Sequence, residues 1–441
     1  MLTESFITSI RAQPKANNTS IAKDVGIHIQ LLHPIHSVKS SLKKSSTAVN
    51  SLAASSTHIF AAQADKAVIH VYSREDGKQE APVSFPERIR SLALIGDGVV
   101  VVGTIEGRIM LWEVATGRHV STPAAHLQEV SCIAGNLSHV ITGSEDSNIH
   151  VWSTPKLLSL TSNEPHQPIR TLQNHRASIT SLILGHSSST TNICVSVSKD
   201  NSCIVWNYQS GDLLRTFLLP STPLCVTLDP CDRAAYVGFE DGSIQMIDFI
   251  SSSSGLSPLF DPSLQAIPTQ ITLPPWTAPS EVDGVYCLGL SFDGTSLLSG
   301  HASGKVIQWD VGRRAFASEL VDLNAPVTNL IMLSPFHKKR ATRVISVVKP
   351  DLREGNYIVK VQLIGNTGTS PNSSAMGFGF PQEVLENMIE RFYAPVSNAS
   401  SSTGDDKTQT EIDELWKVIR EQQALQKKTL QKYNELKASR A

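Results

Sequence analysis

Along much of this chain apolar residues recur at every second position, in short runs broken by tight polar turns. The clearest copy, VITGSEDSNIHVW at 140–152, reads as a strand, a small acidic turn and a second strand in which Ile149 and Val151 alternate with polar neighbours. CVSVSKDNSCIVW at 194–206 repeats the pattern with Ile204 and Trp206. A period of two puts such side chains on one face of a sheet, and an acid in the turn can bond its own backbone. The unit recurs. Glu106, Asp146, Asp200, Asp241 and Ser303 stand six residues before Trp112, Trp152, Trp206, Ile247 and Trp309, and a looser copy ends at Tyr72.

Trp112 and Trp152 are 40 residues apart, and units repeating every ~40–45 residues are the mark of β-propeller blades. Repeats decide architecture ahead of any local motif. Blade-closing positions fall at 72, 112, 152, 206, 247 and 309, and the run RVISVVKPDLREGNYIVKVQLI at 343–364 predicts a seventh. DVGIHIQLL at 24–32 predicts a strand that the N-terminus supplies as the outer strand of the last blade, closing the ring without an open edge. The fold class expected is all-β: one seven-bladed propeller over 1–370, followed by an α-helical extension. Insertions at 154–169 and 251–280, the second rich in Ser and Pro, are expected to carry function or disorder rather than core.

A histidine lies upstream of the two best turn acids, with a serine in between. The sets His126–Ser131–Asp146–Trp152 and His175–Ser181–Asp200–Trp206 resemble the hydrogen-bonded tetrad of WD repeats. That resemblance implies a buried polar chain, which holds its geometry only if every member has a partner. The other blades depart from the pattern: Glu106 replaces Asp, Ser303 takes the acid's place, Ile247 replaces Trp, and Asp65 is one residue too far from Tyr72.

Beyond the repeats the chain changes character. In GFGFPQEVLENMIERFY (377–393), Pro381 marks a helix start and Val384, Leu385, Met388, Ile389 and Phe392 share one face, a candidate partner-binding stripe. A Ser/Thr/Gly linker covers 394–410. Residues 411–438 contain no Gly or Pro, and Ile412, Leu415, Ile419, Leu430, Tyr433 and Leu436 fit a heptad seam over about four heptads. This segment is either a solvated helix or a coiled coil, with Ile412, Leu415, Ile419, Tyr433 and Leu436 as candidate self-association residues.

Composition narrows the function. A net charge of −2 provides no global field for nucleic acid, and no apolar run is long enough to span a membrane or to form the core of a signal peptide. The six cysteines lie mostly in strand patterns without zinc-knuckle spacing, which predicts reduced, buried thiols in a cytosolic or nuclear protein. No catalytic set, cofactor loop or metal motif is present: GHASG (300–304) has its serine one place late for a nucleophile elbow. The cluster HKKRATR (337–343) reads as a solvated turn, an import or partner contact, or a salt-sensitive RNA-phosphate contact.

A degenerate propeller followed by an amphipathic helix, a linker and a terminal helix around ELWKVIREQQALQKKTLQKYNEL resembles one eukaryotic WD-repeat family, called "involved in processing internal transcribed spacer, three". The resemblance implies a non-enzymatic scaffold subunit of a nuclear complex, found in nucleolus and nucleoplasm. Its partners would be a large α-helical-repeat subunit, a third subunit, the pre-ribosomal particle of the large subunit and the AAA ATPase midasin. It also implies a role in removing the second internal transcribed spacer and, less centrally, in replication licensing. Two readings from other classes stand beside it: a substrate receptor of a ubiquitin ligase, and a propeller that binds RNA directly.

Overall fold

The computed structural model describes residues 3–12, 25–160, 166–186, 192–249, 258–265, 267–271, 273–279, 282–335 and 347–350, with Lys417 and Lys428. The chain divides into two units, Met1–Gln362 and Leu363–Ala441. Of the second unit only the two lysines are described, both helical and exposed. The stripe at 384–392, the linker, the heptad residues and the basic cluster 337–343 lie outside the described residues.

The first unit is seven sheets whose blade strands are antiparallel; the short strand Thr269–Gln270, from the 251–280 insertion, adds in parallel to the edge strand Asp212–Leu218 of blade 4. Six are continuous in sequence: blade 1 spans 47–84, blade 2 89–121, blade 3 132–172, blade 4 179–218, blade 5 223–248 and blade 6 285–322. Their innermost strands are Thr47–Ala54, Ile89–Ile95, Cys132–Gly135, Ile179–Leu184, Pro223–Leu228 and Val285–Leu290. Each neighbours the next, and Val327–Leu333 touches both Val285–Leu290 and Thr47–Ala54, so the ring is closed.

Blade 7 corrects two expectations. From inside outward it consists of Val327–Leu333, Glu4–Ile10, Val25–His33 and Ser37–Lys43. The N-terminus thus supplies three strands rather than one, Val25–His33 is the third strand rather than the outermost, and 343–364 supplies none to the described sheet. Glu4–Ile10 escaped notice because Phe6, Ile7, Thr8 and Ser9 are all fully buried; a strand covered on both faces shows no alternation. Ser37–Lys43, by contrast, is mostly polar and exposed, as suits an edge. Residues 347–350 lie on blade 2, where the Val348 N–H bonds the Val114 carbonyl at 2.9 Å.

The repeat itself stands as read. Tyr72, Trp112, Trp152, Trp206, Ile247 and Trp309 each sit on the third strand of a blade and are buried. Asp146, Asp200 and Asp241 each accept the backbone N–H two residues on, at 2.9, 3.0 and 2.9 Å, from Asn148, Ser202 and Ser243. The residue after each of these acids (Ser147, Asn201, Gly242) has a positive φ, which lets the hairpin reverse in so few residues. Between blades, missing side chains allow close approach. A Cβ on Gly143 would stand 2.8 Å from both Cys132 and Ile179, and one on Gly300 would stand 2.5 and 2.6 Å from Cys287 and Val327.

The 251–280 insertion does contribute to the core. Trp276 forms a two-bond bridge with Ile244 at the edge of blade 5 and is buried against Tyr236 and Trp309.

Candidate interaction surfaces

The polar chains run under blades 3 and 4, but through a different hydroxyl from the one expected. Trp152 Nε1 donates to Thr142 Oγ1 at 3.1 Å, Thr142 Oγ1 lies 2.9 Å from His126 Nε2, and His126 Nδ1 lies 3.2 Å from Asp146. In blade 4, Trp206 Nε1, Ser196 Oγ, His175 and Asp200 follow at 2.9, 2.8 and 3.2 Å. A hydroxyl that accepts from tryptophan can still donate its own proton to Nε2, and in that tautomer the Nδ1 proton faces the carboxylate. Ser131 instead donates to the Ile179 carbonyl of blade 4 at 2.5 Å, and Ser181 sits on the innermost strand opposite Val197. Both serines are inter-blade or inner-strand residues, one strand removed from the chain that sequence order assigned to them.

Burial opposes ionisation of Asp146, but bonds from His126 and from the N–H groups of Asn148 and Leu127 outweigh it and bring its pKa to about 2. Asp200 is likewise held well below the usual carboxylate range, burial being outweighed by His175 and Ser202.

Blade 6 has a third chain that sequence reasoning missed: Trp309 Nε1 to Ser299 Oγ at 2.8 Å, Ser299 to His301 Nε2 at 2.8 Å, and His301 Nδ1 to the Asp283 carbonyl at 2.9 Å. Its histidine follows the serine by two residues instead of preceding it, and a backbone carbonyl replaces the turn acid. One rule could have found all three hydroxyls. Thr142, Ser196 and Ser299 each stand ten residues before their tryptophan, whereas the same place holds Ala62, Val102 and Val237 in blades 1, 2 and 5. In blades 1 and 2 the partner comes from elsewhere: the Tyr72 hydroxyl donates to the Lys43 carbonyl at 3.0 Å, and Trp112 Nε1 to the Val348 carbonyl at 2.9 Å.

The ring axis is crossed by blade 1. Its innermost strand bulges between Thr47 and Leu52, and Asn50, with φ of 59°, donates to the carbonyls of Ser131 in blade 3 and Thr180 in blade 4, at 3.2 and 3.1 Å. Asn329 of blade 7 holds the bulge from behind through Ala48 O and Ser51 N, at 2.7 and 3.1 Å, and Arg90 reaches Val49 O while pairing with Glu129 at 3.0 Å. At the other end of the innermost strands lies a cavity of about 530 Å³, lined by apolar residues such as Ile183, Leu228, Leu288, Leu290 and Met332. Turns at that end also expose Ile35, Leu137 and Phe292.

Five cysteines are buried and Cys231 is exposed; burial pushes the Cys132 thiol up to about 12, far from thiolate chemistry at neutral pH. Among the described residues no group of three or more His, Cys, Asp or Glu is placed to hold a metal ion.

The family described as WD domain, G-beta repeat matches residues 117–153, 166–207 and 276–310. These segments each end one residue past a tryptophan, Trp152, Trp206 and Trp309, the three whose blades hold the ten-residue hydroxyl. Over 373 residues the chain is 26% identical to WD repeat-containing protein 18 of Danio rerio, covering 82% of this chain and 84% of that protein. It is 25% identical to pre-rRNA-processing protein crb3/ipi3 of Schizosaccharomyces pombe, over 68% of this chain and 73% of that one. It is 26% identical to pre-rRNA-processing protein IPI3 of Candida albicans, where the match spans 61% of this chain and 62% of the relative. The chain is a seven-bladed WD-repeat protein, homologous to the proteins named IPI3 or Crb3 and to WD repeat-containing protein 18.

Proposed function

We propose that this protein is a non-catalytic scaffold in the processing of precursor ribosomal RNA and the maturation of the large ribosomal subunit. Relatives named for pre-rRNA processing, matched over 61%, 68% and 83% of this chain, support the pathway. The observation that carries the scaffold half is the bridge from Asn50 to Ser131 and Thr180. With the Asn50 side chain tying blade 1 to blades 3 and 4 across the ring, the rim, the two faces and the C-terminal segment are the surfaces offered to partners. The reading is of protein–protein contacts in a nuclear ribosome-assembly complex, with RNA met through partners rather than directly.

The finer assignments rest on the resemblance of the C-terminal region. The α-helical-repeat subunit binds the propeller wall together with the stripe Val384, Leu385, Met388, Ile389 and Phe392, since an apolar stripe of this kind is seldom left bare. A third subunit and a midasin-type ATPase complete the assembly on the pre-ribosomal particle, in nucleolus and nucleoplasm. Affinity purification of the tagged full-length chain with mass spectrometry tests this. Large-subunit precursor proteins together with a midasin-type ATPase are the expected yield. A cullin adaptor in their place, or RNA alone surviving high salt, overturns the reading.

A further inference from the structure

Blade 2 has a fully buried tryptophan and no hydroxyl for it. Val102 occupies the place that Thr142, Ser196 and Ser299 fill in blades 3, 4 and 6, and a buried indole N–H needs an acceptor. Trp112 finds it 236 residues downstream, at the Val348 carbonyl. The same residue returns a bond, its N–H donating to the carbonyl of Val114, two residues beyond Trp112. Both backbone groups of Val348 are therefore read by one short stretch of blade 2.

The seat is shaped for this segment. Gly117 has φ of +74°, and a Cβ on it would stand 2.7 Å from Val348 Cγ1 and 2.8 Å from the Lys349 carbonyl. Val347 packs on the core that Trp112 shares with Phe60 and Phe85. The contact is not a consequence of chain proximity. The ring-closing strand ends at Leu333 in blade 7, and blade 1 intervenes between blade 7 and blade 2.

We propose that residues 347–350 form a latch that takes the place of the missing tetrad hydroxyl and ties the chain beyond the ring to blade 2. The latch is independent of the pre-rRNA reading. Its strength is set by two things that sequence can change: the indole N–H at 112, and the absence of a competing hydroxyl at 102.

Hydrogen exchange on the full-length chain tests it, read at single amides. Trp112→Phe keeps an aromatic ring against Phe60 and Phe85 but removes the donor. The Val348 amide is expected to exchange roughly fivefold faster or more, the factor one lost hydrogen bond implies, with the Val101 and Val151 amides unchanged. Val102→Thr supplies the hydroxyl and loosens the same amide. Val348→Pro lies outside the seven sheets, so the ring folds without it; it removes the bond to Val114 and is expected to speed exchange of the Trp112 indole N–H. Unchanged protection of Val348 in Trp112→Phe or in Val102→Thr, or of the indole in Val348→Pro, overturns the latch. So does loss of protection throughout the ring in Trp112→Phe, since Trp112 would then be core alone.

Discussion

Trp152 and Thr142 stand ten residues apart in sequence and are joined side chain to side chain at 3.1 Å, with Thr142 also holding His126. Thr142→Val keeps the shape of the side chain and leaves both the indole N–H and His126 Nε2 without a partner. The expected loss is about 2–6 kcal/mol in urea unfolding, the sum of two buried groups left unsatisfied at about 1–3 kcal/mol each. Ser131→Ala removes a donor to the Ile179 carbonyl and is expected to cost about 1 kcal/mol. Equal losses would show that Thr142 has no special place in the chain.

The pH dependence follows from Asp146. Its pKa is depressed in the folded protein to about 2, against an ordinary value of 3.8. A depressed carboxylate contributes stability that is complete above the ordinary value and is lost as pH falls through the folded one. The stability difference between the native chain and Asp146→Asn should therefore be level near neutral pH and shrink as pH falls from about 4 toward 2. Denaturant melts across that range measure it; a difference that grows on acidification contradicts the assignment.

Asn50 separates two effects at one position. Asn50→Gly loses the bonds to Ser131 and Thr180 but tolerates the left-handed φ. Asn50→Ala loses the same bonds and adds backbone strain of ~1–2 kcal/mol. The alanine variant should be the less stable of the two by about that amount. If the two melt alike, the bulge has relaxed and the axis is not held as described.

The stripe at 384–392 is tested by changing Leu385 and Met388 to Asp. Loss of the helical-repeat partner with an unaltered melting curve is expected. Loss of both binding and thermal stability would show that the stripe packs against its own chain.

Truncation at Thr410 removes Ile412, Leu415, Ile419, Tyr433 and Leu436. A seam with Gln422, Gln426 and Thr429 at its centre is weak alone, and helices of this length are marginal in water. Two copies held by a large partner gain effective concentration and need little affinity of their own. Light scattering of the complex should fall from two copies of this chain to one, with the ring still folded. One copy before and after truncation would rule out self-association through this helix.

Much of this protein is written locally. The six-residue step from acid to tryptophan and the period-two alternation are properties of a single hairpin, so they are visible in any one blade. The acid, the histidine and the tryptophan of blades 3 and 4 were legible for the same reason. Their hydroxyl was not, because Ser131 and Thr142 offer the same chemistry. Only register, in which Trp152 pairs with Val140, places Thr142 rather than Ser131 within reach of the indole. Ring closure, the crossing of the axis by Asn50 and the seating of Val348 on Trp112 join residues 81 to 320 positions apart. Contacts of that range leave no periodic trace in the chain. They were decided by which strands the closed ring brings together, and by the need of buried N–H groups for an acceptor wherever the fold can supply one.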